Sequence, residues 1–310
     1  MPRKPSARRA VPASAARKLV SRPRRQRGDA TAVESAPRPR PESLDGVALA
    51  RRSPSPSLRR WVVGYQDYRV AGSTGHPRSH LPSPEVNLIV NLDAPLHVHD
   101  ALGQPTSLGA GDAFVAGLHT TAATTRIVGV ERGVQVDLTP VGAHLLFGRV
   151  PMTELAERVV RIEDLLGPER HDVIGALMEA RTAEERFDAL EAFLARKLQD
   201  VELTPELHCA LDGLAASHGT TRIADLARRV GWSEKRLVRA FRQTTGQRPK
   251  TVARLLRFDR ARRLASQNVS WAEIAIECGY HDQAHLSREF SALTGESPTR
   301  LRPRVDGRAP

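Results

Sequence analysis

The strongest constraint on this chain is a pattern written twice near its carboxyl end. Residues 223 to 249, IADLARRVGWSEKRLVRAFRQTTGQRP, and residues 270 to 298, SWAEIAIECGYHDQAHLSREFSALTGESP, follow one plan. Leu226 and Ala227 match Ile274 and Ala275, and Gly231 with Trp232 matches Gly279 with Tyr280, each pair 48 positions apart. Beyond that turn the offset becomes 49, pairing Leu237 with Leu286, Arg239 with Arg288, Phe241 with Phe290, Gly246 with Gly295 and Pro249 with Pro298. One extra residue in the second turn accounts for the slip. A repeat that keeps turn glycine, apolar core and outward arginine together specifies a repeated supersecondary unit.

Each copy reads as a helix, a tight turn, a second helix and a stop. In the later copy Ile274, Ala275 and Cys278 share an apolar face, and Gly279 supplies the left-handed residue that ends the first helix. Asp282 is placed to cap the second helix, in which Leu286 and Phe290 face inward. Ser233 and Ser270 are expected to cap helices. Burying Leu286 and Phe290 turns Gln283, His285, Ser287 and Arg288 toward the flank or outward, and burying Leu237 and Phe241 does the same for Lys235, Arg236, Val238, Arg239 and Arg242. All of these except Val238 carry the donors and acceptors that read base edges in a major groove. Arg239 and Arg288 are the first choices for base contact, whereas Lys235, Arg236 and Arg242 suit phosphates equally well.

The run from about Thr221 to Arg304 resembles the DNA-binding domain of the AraC/XylS family of bacterial transcription regulators. The resemblance rests on IADLA, GWS, the L.R.F spacing and TG..P in the first copy, and on IA, GY, L.R.F and G.SP in the second. It implies two helix–turn–helix units joined by one long helix, for which Thr251 to Ser266 is the segment available. There Leu255, Phe258, Ala261 and Ala265 form an apolar stripe, leaving Arg254, Arg257, Arg260 and Arg263 for solvent or phosphate. The joint would set two recognition helices into successive major grooves about 34 Å apart. Val238 stands where many members of the family carry a polar residue, so a thymine methyl is the most it would contact.

Charge divides the chain into three blocks. Residues 1 to 60 hold 16 Lys/Arg against 4 Asp/Glu, residues 61 to 217 hold 12 against 22, and residues 218 to 310 hold 19 against 9. An acidic middle between basic ends argues against general stickiness and for a dedicated DNA-binding end. Residues 1–57, rich in Arg, Pro, Ala and Ser, are expected to be a disordered basic tail. No stretch approaches a membrane span or a secretory signal, so a cytoplasmic location is expected. The two cysteines, Cys209 and Cys278, suggest neither a disulfide framework nor a structural zinc.

The fold class expected is α+β, with an N-terminal cupin-like β-barrel sensor domain ahead of an all-α domain with two helix–turn–helix units. Strand patterns are read at Trp61 to Arg69, Val86 to Leu92, Leu96 to Asp100, Ala113 to Leu118, Thr125 to Val130 and Val134 to Leu138. The GAGDAF stretch, Gly109 to Phe114, looks like the Gly-Asp turn of cupin-like barrels, and the family resemblance implies a small effector held there. Asn87, Asn91, His97, His99 and His119 are the candidate pocket residues, and they suit equally the satisfied polar groups of a barrel wall or the polar lining of an effector pocket. His97 and His99 have the spacing of two imidazole ligands on one strand face, but no carboxylate follows at the cupin spacing, so no metal and no cofactor are expected.

From Thr139 the pattern turns helical. Thr153 with Leu155, Ala156, Val159, Val160 and Ile162 reads as a capped amphipathic helix. Thr182 to Asp200 opens with a Thr182/Glu185 capping box, and its stripe of Phe187, Leu190, Phe193, Leu194 and Leu198 suits packing on the barrel or a dimer face. The domains are thus a tail at 1–57, a sensor at 58–140, a helical connector at 141–205 and a DNA-binding domain at 206–306, with units at about 223–244 and 271–293. The expected function is a non-enzymatic, sequence-specific DNA-binding transcriptional regulator under effector control. Its expected partners are double-stranded DNA, a small-molecule effector, RNA polymerase and a second copy in a homodimer, with no membrane. The alternatives are a cupin-type enzyme, a DNA-repair protein fused to a DNA-binding domain, and a non-specific architectural DNA-binding protein.

Overall fold

The structure, a computed structural model, describes residues 47–300 apart from 75, 76, 94, 149, 199–202 and 268. The first part of the expected tail and residues 301–310 lie outside the described residues. The strands are β1 (Val47–Arg52), β2 (Val62–Thr74), β3 (Arg78–His80), β4 (Val86–Asn91), β5 (Leu96–His99), β6 (Pro105–Leu108), β7 (Ala113–Ala116), β8 (Ala123–Leu138) and β9 (Val159–Arg161). Every pairing described is antiparallel, in the order β1-β2-β8-β4-β7-β9, with β3 and β5 on the first half of β8 and β6 beside β5.

Strand β8 organises this part. Residues 123–127 pair with β3 and β5, and residues 128–138 pair with β2, so one strand serves two facing sheets. Alternation then separates two cores. One face of the main sheet buries Tyr65, Leu88, Val90, Val134 and Val136 under helices; the other turns Ile89, Phe114 and Ala116 toward Leu96, Val98 and Leu108 of the second sheet. Each Val, Leu or Phe among them withdrawn from water contributes about 1.5–3 kcal/mol.

The helices are α1 (Pro140–Leu146), α2 (Met152–Leu155), α3 (Ile162–Leu166), α4 (Arg170–Glu179) and α5 (Ala183–Leu198), then α6 (Pro205–Ala216), α7 (Ile223–Arg229), α8 (Glu234–Thr245), α9 (Pro249–Ala265), α10 (Trp271–Glu277) and α11 (Gln283–Thr294). Helix α5 starts with the Thr182/Glu185 capping box and lies on β2, where Arg186 pairs with Asp67 and Phe187 meets Tyr65 at 6.0 Å. All five stripe residues of α5 are buried within the chain, so that stripe offers no dimer face.

Four other expectations are corrected. The tail does not run to residue 57: Val47–Arg52 pairs along β2, and Arg52 bonds to Asp188 at 2.6 Å and Glu184 at 3.3 Å of α5. Edge pairing and ion pairs hold a strand that its own apolar content would not. The helix read from Thr153 to Ile162 stops at Leu155, because Ala156 is extended and Glu157 takes φ +64°. The β-branched pair Val159–Val160 then joins β7 as β9, carrying the sheet into the segment read as connector. The patterns Thr125 to Val130 and Val134 to Leu138 form one continuous strand.

Candidate nucleic-acid interface

The two repeated units have the same local construction. Ser233 Oγ accepts from Arg236 N–H, Ser270 forms a reciprocal capping box with Glu273, and Asp282 accepts from His285 N–H at 2.6 Å. Gly231 and Gly279 sit at φ +67° and +72° in the inter-helix turns, and Gly246 and Gly295 end the second helices at +75° and +73°. Leu226, Leu237 and Phe241 fill one unit, and Ile274, Leu286 and Phe290 the other, all at or near zero exposure. Helix α9 joins them: Phe258 meets Phe290 edge to face at 4.8 Å, and Trp271 closes on the same ring at 5.4 Å.

On α8, Lys235, Arg239 and Arg242 are exposed, Val238 is half-buried, and the exposed Arg236 stacks its guanidinium over Trp232 at 4.3 Å. Arg236 is thereby held at the flank of the unit. On α11, Gln283 and Arg288 are exposed. Ser287 spends its hydroxyl proton on the Gln283 carbonyl at 2.9 Å. His285 packs edge-on to Tyr280, and its Nδ1 accepts from the His281 N–H at 3.2 Å. In the neutral ring that bond leaves the proton on Nε2, so His285 offers a donor to an acceptor on a base.

The arginines assigned to solvent or phosphate on α9 have other work. Arg254 pairs with Glu289 of α11 at 2.8 Å, Arg260 with Glu277 of α10 at 3.5 Å, and Arg257 donates to the Gly219 carbonyl at 2.8 Å. They tie the units to α9. Arg263 is exposed and pairs with Asp259 at 2.9 Å.

The expected effector residues do not converge. His97 and His99 point outward from β5, His97 toward Ser107 at 2.9 Å. Asn91 is buried and donates to the Gly109 carbonyl at 2.9 Å, holding the Gly109–Phe114 turn. His119 is buried with Nδ1 3.2 Å from the Gly117 carbonyl. Asn87 alone belongs to a polar cluster on the face turned to the second sheet. There Asn87 and Gln135 donate to Asp137 Oδ1 at 2.7 and 2.5 Å, and Gln66 donates to Oδ2 at 2.7 Å. Sequence reading missed Gln66, Gln135 and Asp137; the alternation of polar side chains along β2 and β8 is the signal that marks them. Among the described residues no group of three or more His, Cys, Asp or Glu is placed to hold a metal ion. Cys278 is buried, and burial pushes its thiol up to about 11, opposite to the shift that makes a reactive thiolate.

A further feature lay outside sequence reasoning. Helices α1 and α2 pack against α8. An open cleft of about 830 Å³ lies between them, with Lys235, Val238, Arg239, Arg242 and Gln243 on one wall, His144, Pro151, Met152 and Thr153 on the other, and Leu203 and Leu207 at its base.

The comparisons agree with this geometry. A family model described as a helix-turn-helix domain matches residues 226–304, and one described as a domain of unknown function, DUF6597, matches residues 50–161. The chain is 28% identical over 126 residues to the uncharacterized HTH-type transcriptional regulator YbfI of Bacillus subtilis, a match covering 38% of this chain and 46% of that protein. The chain thus spans just under half the length of that curated relative. Among solved structures, ToxT from Vibrio cholerae is similar at 10% identity over 81% of this chain and 100% of its own, with TM-score 0.46. An AraC-type regulator from Chromobacterium violaceum is similar at 29% identity over 33% of this chain and 92% of its own, with TM-score 0.30. The paired units and their joining helix fit the helix-turn-helix domain matched at residues 226–304, and over 126 residues the chain is similar to an HTH-type transcriptional regulator.

Proposed function

We propose that this chain is a sequence-specific transcriptional regulator that binds double-stranded DNA through α8 and α11 and responds to a small effector held by the β domain. The observation that carries the proposal is the repeated unit itself: two capped helices with buried Leu and Phe anchors, each turning an arginine outward, fixed to one helix. Arg239 and Arg288 are the base-reading residues, assisted by Gln283 and by the Nε2–H of His285. Lys235 and Arg242 hold phosphates, and Val238 contacts a thymine methyl at most. Within the β domain, Gln66, Asn87 and Gln135 around Asp137 supply donors and acceptors for a small polar effector. No described helix is long and apolar enough to cross a membrane.

The test is selection of bound duplex from a random library by the full chain at physiological salt. Two short base preferences about ten base pairs apart support the reading. A flat profile with steep salt dependence means that the helices hold phosphates only, and the regulator reading gives way to an architectural one.

A further inference from the structure

The repeat allows each copy to serve as a control for the other. After α8 the chain reads Thr245-Gly246-Gln247, and after α11 it reads Thr294-Gly295-Glu296. The two turns share their hydrogen bonds: Thr245 Oγ1 donates to the Phe241 carbonyl and accepts from Gln247 N–H, as Thr294 Oγ1 does with Phe290 and Glu296. Local structure therefore accepts either Gln or Glu at the position after the glycine.

What differs is the docking. Gly246 lies so close to α2 that a Cβ there would fall 2.3 Å from the Met152 carbonyl oxygen, whereas a Cβ on Gly295 would meet open space. The Gln247 amide donates to Glu157 Oε1 at 2.9 Å and to the Leu118 carbonyl at 3.3 Å. Glu157 is itself held by Thr120, whose N–H and hydroxyl donate to its two oxygens at 2.9 Å each. It occupies the left-handed backbone region, uncommon for a residue with a side chain. The consequence falls on α8. Its reading residues, although exposed to water, face an open cleft whose far wall is α1 and α2, in the space that a duplex lying against α8 would need.

We infer that the Gln247–Glu157 contact, with Gly246 seated on Met152, is an autoinhibitory latch that holds α1 and α2 in the path of a duplex approaching the first recognition helix while the second is left clear. DNA then meets α11 first, and α8 reads its half of the site only after α1 and α2 move off it. The inference rests on the proposed DNA-binding function.

The decisive variant is Gln247→Glu, because the second copy shows that glutamate is compatible with this turn. It sets a carboxylate against Glu157 and removes the amide donor. In the full chain, with Cys209→Ser and a Thr244→Cys label site at the cleft wall, where Thr244 is 3% exposed, Gln247→Glu is expected to raise the rate of maleimide labelling about ten-fold. It should tighten binding to the selected two-motif duplex by a similar factor, while leaving a duplex with the α11 motif alone unchanged. The exchange Glu157→Gln with Gln247→Glu restores an amide–carboxylate bond and should return both readouts toward the parent. Unchanged labelling in Gln247→Glu, or equal effects on both duplexes without rescue by the exchange, would overturn the latch. Faster labelling with no sequence preference in any variant would retain the latch as a contact and reject the regulator reading.

Discussion

The Asp67–Arg186 pair fastens α5 to the sheet across 119 residues of chain, and its removal should show how much that attachment depends on charge. Arg186 is 3% exposed and Asp67 9%, and the guanidinium also donates to the Ala180 carbonyl at 2.7 Å. Arg186→Met keeps most of the packed volume but leaves the carboxylate buried without its cation. A broken buried pair costs about 3–5 kcal/mol, because the remaining charge has lost both water and partner. For a domain of ordinary stability, about 5–15 kcal/mol, this is a large fraction. The double variant Asp67→Leu with Arg186→Met removes both charges and should recover most of the loss.

Trp61 is buried in the β domain and reports on it in urea once Trp232 and Trp271 are replaced by Phe. In Arg186→Met the midpoint should fall at unchanged slope. A loss under about 1 kcal/mol, or a double variant as unstable as the two single changes together, would refute the assignment.

Three shorter predictions follow from the same physics. Arg239→Ala should cost about 1–3 kcal/mol of DNA binding and relax preference at one base position, whereas equal loss on every sequence would make Arg239 a phosphate anchor. Phe290→Ala removes the ring on which Phe258 and Trp271 converge and should cost about 3–5 kcal/mol of stability in thermal or urea unfolding of the α6–α11 region. Burial, reinforced by the charges of Asp259 and Asp137, pushes the Glu85 carboxyl from its ordinary 4.5 up to about 7. The folded chain thus keeps a proton that the unfolded chain has already lost, so this group's contribution is present below pH 4.5 and disappears as pH rises toward 7; Glu85→Gln should flatten that slope in unfolding measured across the window.

The parts legible in the sequence were those where one local rule decides the outcome. Ser233, Ser270 and Asp282 cap because a side-chain oxygen meets an unpaired N–H two or three residues on, and Leu237, Phe241, Leu286 and Phe290 are buried because helical spacing puts them on one face. The parts that failed were set by distant partners. Val47–Arg52 is a strand because β2 and α5 receive it, and Val159–Arg161 is a strand because β7 has a free edge. Arg254, Arg257 and Arg260 look like phosphate ligands until Glu289, Glu277 and the Gly219 carbonyl are set beside them. The histidines of β5 failed for a simpler reason: period-two alternation fixed that His97 and His99 share a face, but not which face is inside.

The ties along α9 have a consequence for the DNA site. Arg254 and Glu289 are both about three-quarters buried, Phe258 and Phe290 are in ring contact, and the Gly219 carbonyl is held from the same helix, so neither unit can swing about the joint without breaking a buried contact. Once α1 and α2 have moved off α8, the two recognition helices should accept one separation only. Inserting five base pairs between the selected motifs turns the second to the opposite side of the duplex and should reduce affinity to that of a single motif, while inserting about ten restores the facing but exceeds the reach. A flexible linker would behave differently, since the second binding event would then depend only weakly on the distance between sites. Undiminished affinity for both lengthened sites, measured by titration at fixed salt, would mean that α9 does not hold the units rigidly and that the buried Arg254–Glu289 pair opens on DNA.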